Sequence, residues 1–193
     1  MMSPSHPSPD SPGLAARRAA HQAALAAFVT RAEAVAEDRW NEPRRPAEWS
    51  HASTSSSPAS TAWSPARIAE HLRLTYHVVA GELAGRPGLR IRSPWWLRPI
   101  LRLRVLPRIL DGGPIPAGAR APREVRPHPE FGPVDRRASL AALRQAAEEC
   151  ELMIERRWLD PSAGVTHHVF GRLTPDQILR FATVHARHHA AQL

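Results

Sequence analysis

Residues 174–193 read TPDQILRFATVHARHHAAQL, and the organisation of the chain follows from this stretch. Thr174 supplies an N-cap hydroxyl, Pro175 suits the first helical position, and Gln177 stands three residues after the cap. Ile178, Phe181, Ala182 and His185 then recur at three- and four-residue spacing and share one helix face. His189 lies about 40° further round, by the roughly 100° step per residue. The inward face of this helix therefore carries two imidazoles one turn apart. Buried beside Ile178 and Phe181, they need polar partners, and a metal ion is one such partner.

H-x-x-x-H on a helix suits a tetrahedral or octahedral ion but supplies only two ligands. A third inward-facing imidazole from another helix would complete a three-histidine site with positions left for water or substrate. His71 is the best candidate, because it borders the apolar stripe of its own helix. The plain alternative is that HARHH is only the polar end of an exposed helix.

Working back from the C-terminal helix, 161–172 (PSAGVTHHVFGR) reads as a turn containing His167 and His168. Asp135 caps a helix over about 136–159 with the stripe Leu140, Leu143, Ala147, Cys150, Ile154 and Trp158. Cys150 falls on that stripe and reads as a buried thiol. Residues 86–134 form a long crossover, which lets the helices on either side run parallel. Within it, WWLRPILRLRVLPRIL (Trp95–Leu110) is basic, aromatic and apolar. It has the composition of an interfacial membrane segment, but Pro99 and Pro107 are expected to break it. Trp95, Trp96, Ile100 and Leu101 are expected to pack over the bundle.

Ser64 and Pro65 open another helix, with Ile68, Leu72, Tyr76, Val79 and Leu83 inward and Gly85 as its stop. Residues 41–62 read as a low-complexity linker and 1–12 as a disordered tail. Residues from about Gly13 to Trp40 read as the first helix, with Leu25, Phe28, Val29, Ala32, Val35, Ala36 and Trp40 in its stripe. The β-like pieces are too short to build a sheet. The expected class is all-α, a four-helix bundle over residues 13–193.

With 42% apolar and 23% charged residues, the chain reads as one ordinary globular domain. All 26 basic residues are arginine, and the formal net charge is +8. Charge of this size attracts polyanions. With no recognition element in view, the arginines are expected to cover the surface without a nucleic-acid partner; binding through Arg90 to Arg108 is the minor alternative. The single Cys150 excludes an internal disulfide and a cysteine-rich zinc site. No stretch approaches 18 uninterrupted apolar residues. Neither a Sec nor a twin-arginine signal is legible, so a cytoplasmic location without membrane contact is expected.

WSPARIAEHL (Trp63–Leu72) resembles the W-S-x-x-x-I-x-E-H-L segment of the DinB-like superfamily, which includes YfiT-like thiol transferases. HHVFGRLTPDQILRFATVHARHHAAQL (His167–Leu193) resembles the H-P-x-F-G-x-L-T motif, helix and H-x-x-x-H that close a DinB-like subgroup. The two segments occur in the right order with a long crossover between them. The resemblance implies an up-down-down-up bundle and a divalent metal, nickel or zinc, held by His71, His185 and His189. His188 competes for a place on the same face. His167 matches the motif's first histidine, while His168 stands where proline is usual, which leaves its role open between a partner of the site and a cap on the turn. The chain also ends at Leu193, earlier than many such relatives.

The activity implied is a metal-dependent S-transferase that activates a low-molecular-weight thiol for transfer to an electrophile. Metal-assisted hydrolysis is the alternative enzyme reading, and a non-catalytic, metal-stabilised, stress-related bundle acting through dimerisation the alternative of another class; a homodimer is expected on each reading. Glu70, Tyr76, His77 and His188 lie near ligands in sequence, but none stands out as a general base.

Overall fold

The computed structural model describes residues 13–43, 63–116 and 120–193. The expected tail at 1–12 and most of the expected linker at 41–62 lie outside the described residues. The protein is mostly helical, with one small two-stranded sheet. The all-α expectation is met at that level.

Helix α1 spans Leu14–Ala34 and follows Gly13, which takes the left-handed φ of +90° that glycine tolerates. It stops short of Trp40, where the sequence reading ended it. Val35 is extended, and Glu37–Arg39 form one 3-10 turn. The break brings Trp40 into the core, 0% exposed, and sets its carbonyl 3.0 Å from the Ala66 N–H at the start of the next helix. Burial of the indole's apolar area and the satisfied helix-end donor offset the lost turn of α1, although the indole Nε1–H is buried without a hydrogen-bond partner among the described residues. The freed Val35 carbonyl accepts from Arg136.

Helix α2 spans Pro65–Leu83, with Ser64 Oγ accepting from the Arg67 N–H at 3.3 Å. Gly85, at φ +90°, closes it. Ile68, Leu72, Tyr76 and Leu83 are buried along it.

The crossover departs from expectation. Arg98–Ile100 (α3), a π turn at Leu101–Val105 and Leu106–Leu110 (α4) form one continuous helical run. Pro99 sits in the first turn of α3, where its missing N–H has no intrahelical partner to lose. The wider π turn lies directly ahead of Pro107, where a regular α-helix would press the proline ring on the carbonyl four residues back. Leu106, Ile109 and Leu110 face inward, but Trp95, Trp96 and Ile100 are exposed and do not pack over the helices as the sequence suggested.

Helix α5 spans Arg136–Arg156, with Asp135 Oδ1 accepting from the Ala138 N–H at 2.7 Å. Leu140, Leu143, Ala147, Cys150 and Ile154 are buried on one face. A hairpin follows where no sheet was expected. Strands β1 (Val165–His167) and β2 (Gly171–Leu173) pair antiparallel, with His167 opposite Gly171. Gly171, at φ +72°, provides the left-handed residue that such a short loop needs. Glu82 ties the hairpin to α2, accepting from Thr166 N–H at 2.9 Å and Thr166 Oγ at 2.7 Å.

Helix α6 spans Pro175–Ala190 and opens with a reciprocal capping box between Thr174 and Gln177, as its sequence predicts. It packs along α1, while α2 packs along α5. Helix α4 also rests on α6, and a 3-10 turn at Arg123–Val125 rests on α2. Among the described residues, no helix is long and apolar enough to cross a membrane.

Candidate metal centre

His71 comes from the middle of α2, and His185 and His189 from the last two turns of α6. The fold brings their ring nitrogens within 4.8 Å of one another. His185 Nε2 lies 3.1 Å from His71 Nε2 and 2.9 Å from His189 Nε2. His71 and His189 are buried and His185 half-buried.

The outer nitrogens decide what the inner ones present. His71 Nδ1–H donates to the Val125 carbonyl at 2.7 Å. A carbonyl can only accept, so the proton of neutral His71 sits on Nδ1 and its Nε2 carries a lone pair. His189 Nδ1–H donates to Gln192 Oε1 at 2.7 Å, and the Gln192 amide nitrogen donates to His188 Nε2 at 3.0 Å. That network orients the amide and leaves the His189 Nε2 lone pair facing inward too.

Protonation does not relieve this crowding. Burial, more than the opposing Val125 hydrogen bond, holds His71 down to about 4. Burial and the neighbouring His71 ring hold His189 down to about 3. His185 is pushed well below the usual histidine range, by burial first and then by the rings of His189 and His71. Near neutral pH three imidazoles therefore converge with at most one proton, on His185, among their inward nitrogens. One close nitrogen pair is left lone pair to lone pair, an arrangement that a cation would stabilise.

The separations suit one. Nitrogens about 2.0–2.1 Å from a tetrahedral ion lie about 3.3 Å apart, and at right angles about 2.9 Å apart. The donor set fits a borderline ion such as zinc or nickel. Each buried ligand has an oxygen acceptor behind it, the arrangement that fixes tautomer and ring orientation at histidine–metal sites.

Aromatic rings wall the cluster. Trp63 lies against His71 with ring centroids 5.0 Å apart, and Phe181 against His185 at 6.0 Å. His188 stands edge-on to His189 at 5.1 Å, turned to Gln192 and outside the trio. His167 caps the hairpin turn, its Nδ1 accepting from the Val169 and Phe170 N–H groups at 3.2 and 3.3 Å. The His168 carbonyl accepts from Arg92 and Ser93, which fastens the crossover to the hairpin.

The four residues weighed as bases are placed differently. Both carboxylate oxygens of Glu70 are taken by Arg73, at 2.7 and 2.8 Å. Tyr76 is buried against His21, and His77 is exposed. His188 alone stays beside the cluster.

Two supporting groups are absent from the sequence reading. Gln192 was legible, standing three residues after His189 and four after His188, so that it reaches both along one helix side. Val125 was not, since it acts through a backbone carbonyl 54 positions from His71.

Cys150 is buried and free, as expected. Beside it is a buried polar group the sequence did not suggest. His21 on α1 joins Glu151 on α5 at 2.6 Å and the Tyr76 hydroxyl on α2 at 2.8 Å.

No curated protein and no solved structure matches the chain. A family model matches residues 47–193, which contain all three histidines, and no DinB-like family model matches. The DinB-like resemblance is corrected accordingly. Its two segments encode local physics, a Ser-Pro helix start and histidines one turn apart, that can recur in unrelated chains. The match over three quarters of the length makes this chain a member of DUF1569, described as a family of proteins of unknown function.

Proposed function

We propose that the chain is a metal-dependent protein whose ion, zinc or nickel, is held by Nε2 of His71, His185 and His189, and that it activates a small nucleophile for attack on an electrophile. The observation that carries this reading is the convergence of three mutually oriented imidazoles, with His185 Nε2 3.1 Å from His71 and 2.9 Å from His189. An ion held there by three protein ligands supplies Lewis acidity and lowers the pKa of a thiol or a water.

The chain's own groups do the rest. The Val125 carbonyl and Gln192 Oε1 hold the tautomers and raise the basicity of the nitrogens behind them. Trp63 and Phe181 restrict water around the rings. His188 is engaged by Gln192, which keeps it from acting as a fourth ligand and favours an open site over a closed structural one. The nucleophile is either a low-molecular-weight thiol, as in a transferase, or water, as in a hydrolase, and nothing among the described residues of the site ranks one above the other. The long helices are read as a four-helix bundle, up-down-down-up, supported by the pairing of α1 with α6 and α2 with α5.

The test is elemental analysis of protein purified without a histidine tag, alongside His71→Ala and His185→Ala. Near-stoichiometric metal lost in both variants supports the site and justifies a screen of thiols and electrophiles. A folded wild type that takes up neither zinc nor nickel on titration refutes it.

A further inference from the structure

The helical run of the crossover has two apolar sides. One, formed by Leu106, Ile109 and Leu110, is buried. The other is open: Trp95 is 78% exposed, Trp96 60%, Ile100 53% and Leu103 75%. Ile100 and Leu103 lie within the run, and Trp95 and Trp96 in the turn directly ahead of it. The segment that carries them is firmly held. Arg92 and Ser93 N–H groups donate to the His168 carbonyl at 2.8 and 3.3 Å, and Ser93 Oγ donates to the Val169 carbonyl at 2.6 Å. Arg102 donates to the carbonyls of Phe170 and Arg172 at 2.8 and 2.6 Å. The outward aromatic and aliphatic groups thus stand on a backbone anchored from behind.

The charge around them has one sign. Six arginines lie between positions 90 and 108, and no acid lies between Glu82 and Asp111. Arg90, Arg104 and Arg108 are exposed and pair with no acid among the described residues; Arg92 stands 3.9 Å from Glu124. Tryptophans at headgroup depth, short aliphatic groups reaching the acyl boundary and arginines facing anionic headgroups make an interfacial segment. The sequence weighs against membrane contact on two grounds, the breaks expected at Pro99 and Pro107 and the inward packing expected of Trp95, Trp96, Ile100 and Leu101. The continuous helical run removes the first, and the exposure of Trp95, Trp96 and Ile100 the second.

We propose that the outer side of this crossover docks the protein peripherally on an anionic lipid bilayer. A second copy fits less well. A two-fold contact through this side would bring two sets of arginines into one interface, with no acid between Glu82 and Asp111 to pair them. A nucleic acid also fits less well. Leu103 and Ile100 are among the open groups, and aliphatic side chains offer a base no stacking face.

The test is co-sedimentation of the full chain with vesicles of phosphatidylcholine, with and without phosphatidylserine. Binding to the anionic vesicles is expected, weakened by added salt and nearly absent on phosphatidylcholine alone. Trp95→Ala with Leu103→Ser, and separately Arg104→Glu with Arg108→Glu, should each weaken it about tenfold or more. Circular dichroism should remain unchanged, since all four side chains are exposed. Failure to sediment with anionic vesicles overturns the proposal, as does binding that both double variants leave intact. A dimer that Trp95→Ala with Leu103→Ser dissociates, without vesicle binding, would assign the surface to a second copy. Oligonucleotide retardation lost in the same variants, again without vesicle binding, would assign it to nucleic acid.

Discussion

Gln192 Oε1 accepts from Nδ1 of His189 at 2.7 Å, while the same side chain's amide nitrogen donates to His188. One amide therefore orients a proposed ligand and restrains the histidine that would compete with it. Gln192→Leu should lower zinc affinity by about 10–100-fold, the usual effect of removing an acceptor behind a ligating histidine. Gln192→Glu keeps an acceptor and should retain most of the affinity. Competition with a chromogenic chelator measures both, and a Gln192→Leu protein that binds zinc as tightly as wild type would refute the role.

The His21–Glu151–Tyr76 group joins three helices through buried polar contacts. Gln22 also donates to Glu151 Oε2 at 2.8 Å, and Arg18 stands 3.4 Å from that oxygen. His21→Ala leaves one carboxylate oxygen and the tyrosine hydroxyl without their buried partner. It should cost about 2–4 kcal/mol. Tyr76→Phe should cost about 1 kcal/mol. Urea unfolding midpoints give both values. Metal content should be unchanged in each, which separates this group from the site.

Local grammar explains what was readable beforehand. Ser64-Pro65, Asp135 and Thr174-Pro175-Gln177 mark helix starts because each fills an orphan N–H within its own turn. The two histidines of α6 share a face by period alone, and His71 follows from its place beside a stripe. What was missed depends on contacts distant in sequence. Trp40 leaves the helix pattern to reach Ala66, His21 is buried because Glu151 and Tyr76 meet it, and the Val125 carbonyl supports His71. The outward Trp95 and Trp96 were misread for a related reason: an apolar residue's pattern does not say whether the surface beside it is protein or something outside the chain.

Glu151 should make stability sensitive to acid. Burial raises its carboxyl pKa, but hydrogen bonds from His21 and Gln22 and the charges of His21 and Arg18 overcome this and hold it below the ordinary 4.5. Tyr76 and Cys150 are buried alongside, and Glu155 shares Arg18. Between the lowered folded value and the ordinary unfolded value, the unfolded chain binds more protons, so stability there rises with pH. The contribution is full above the ordinary glutamate range and lost as pH falls through the folded value. Glu151→Gln should be less stable at neutral pH and should flatten that part of the profile. Chemical denaturation across pH 3 to 6, at about half-unit steps, measures the slope. An unchanged slope in the variant would show that other carboxyls carry it.

Cys150 lies beside this group and should be silent chemically. Burial, then the neighbouring Glu151 carboxylate, pushes its thiol well above the usual range. The thiolate is the reactive form, so both its low population and its enclosure protect it. A disulfide reagent such as Ellman's should leave the native protein unmodified and titrate one thiol on unfolding in guanidinium. Reaction at the rate of an exposed thiol under native conditions would mean that the core between α2 and α5 opens readily. Slow reaction that accelerates in Tyr76→Phe and His21→Ala would instead report the local opening that those two side chains normally suppress.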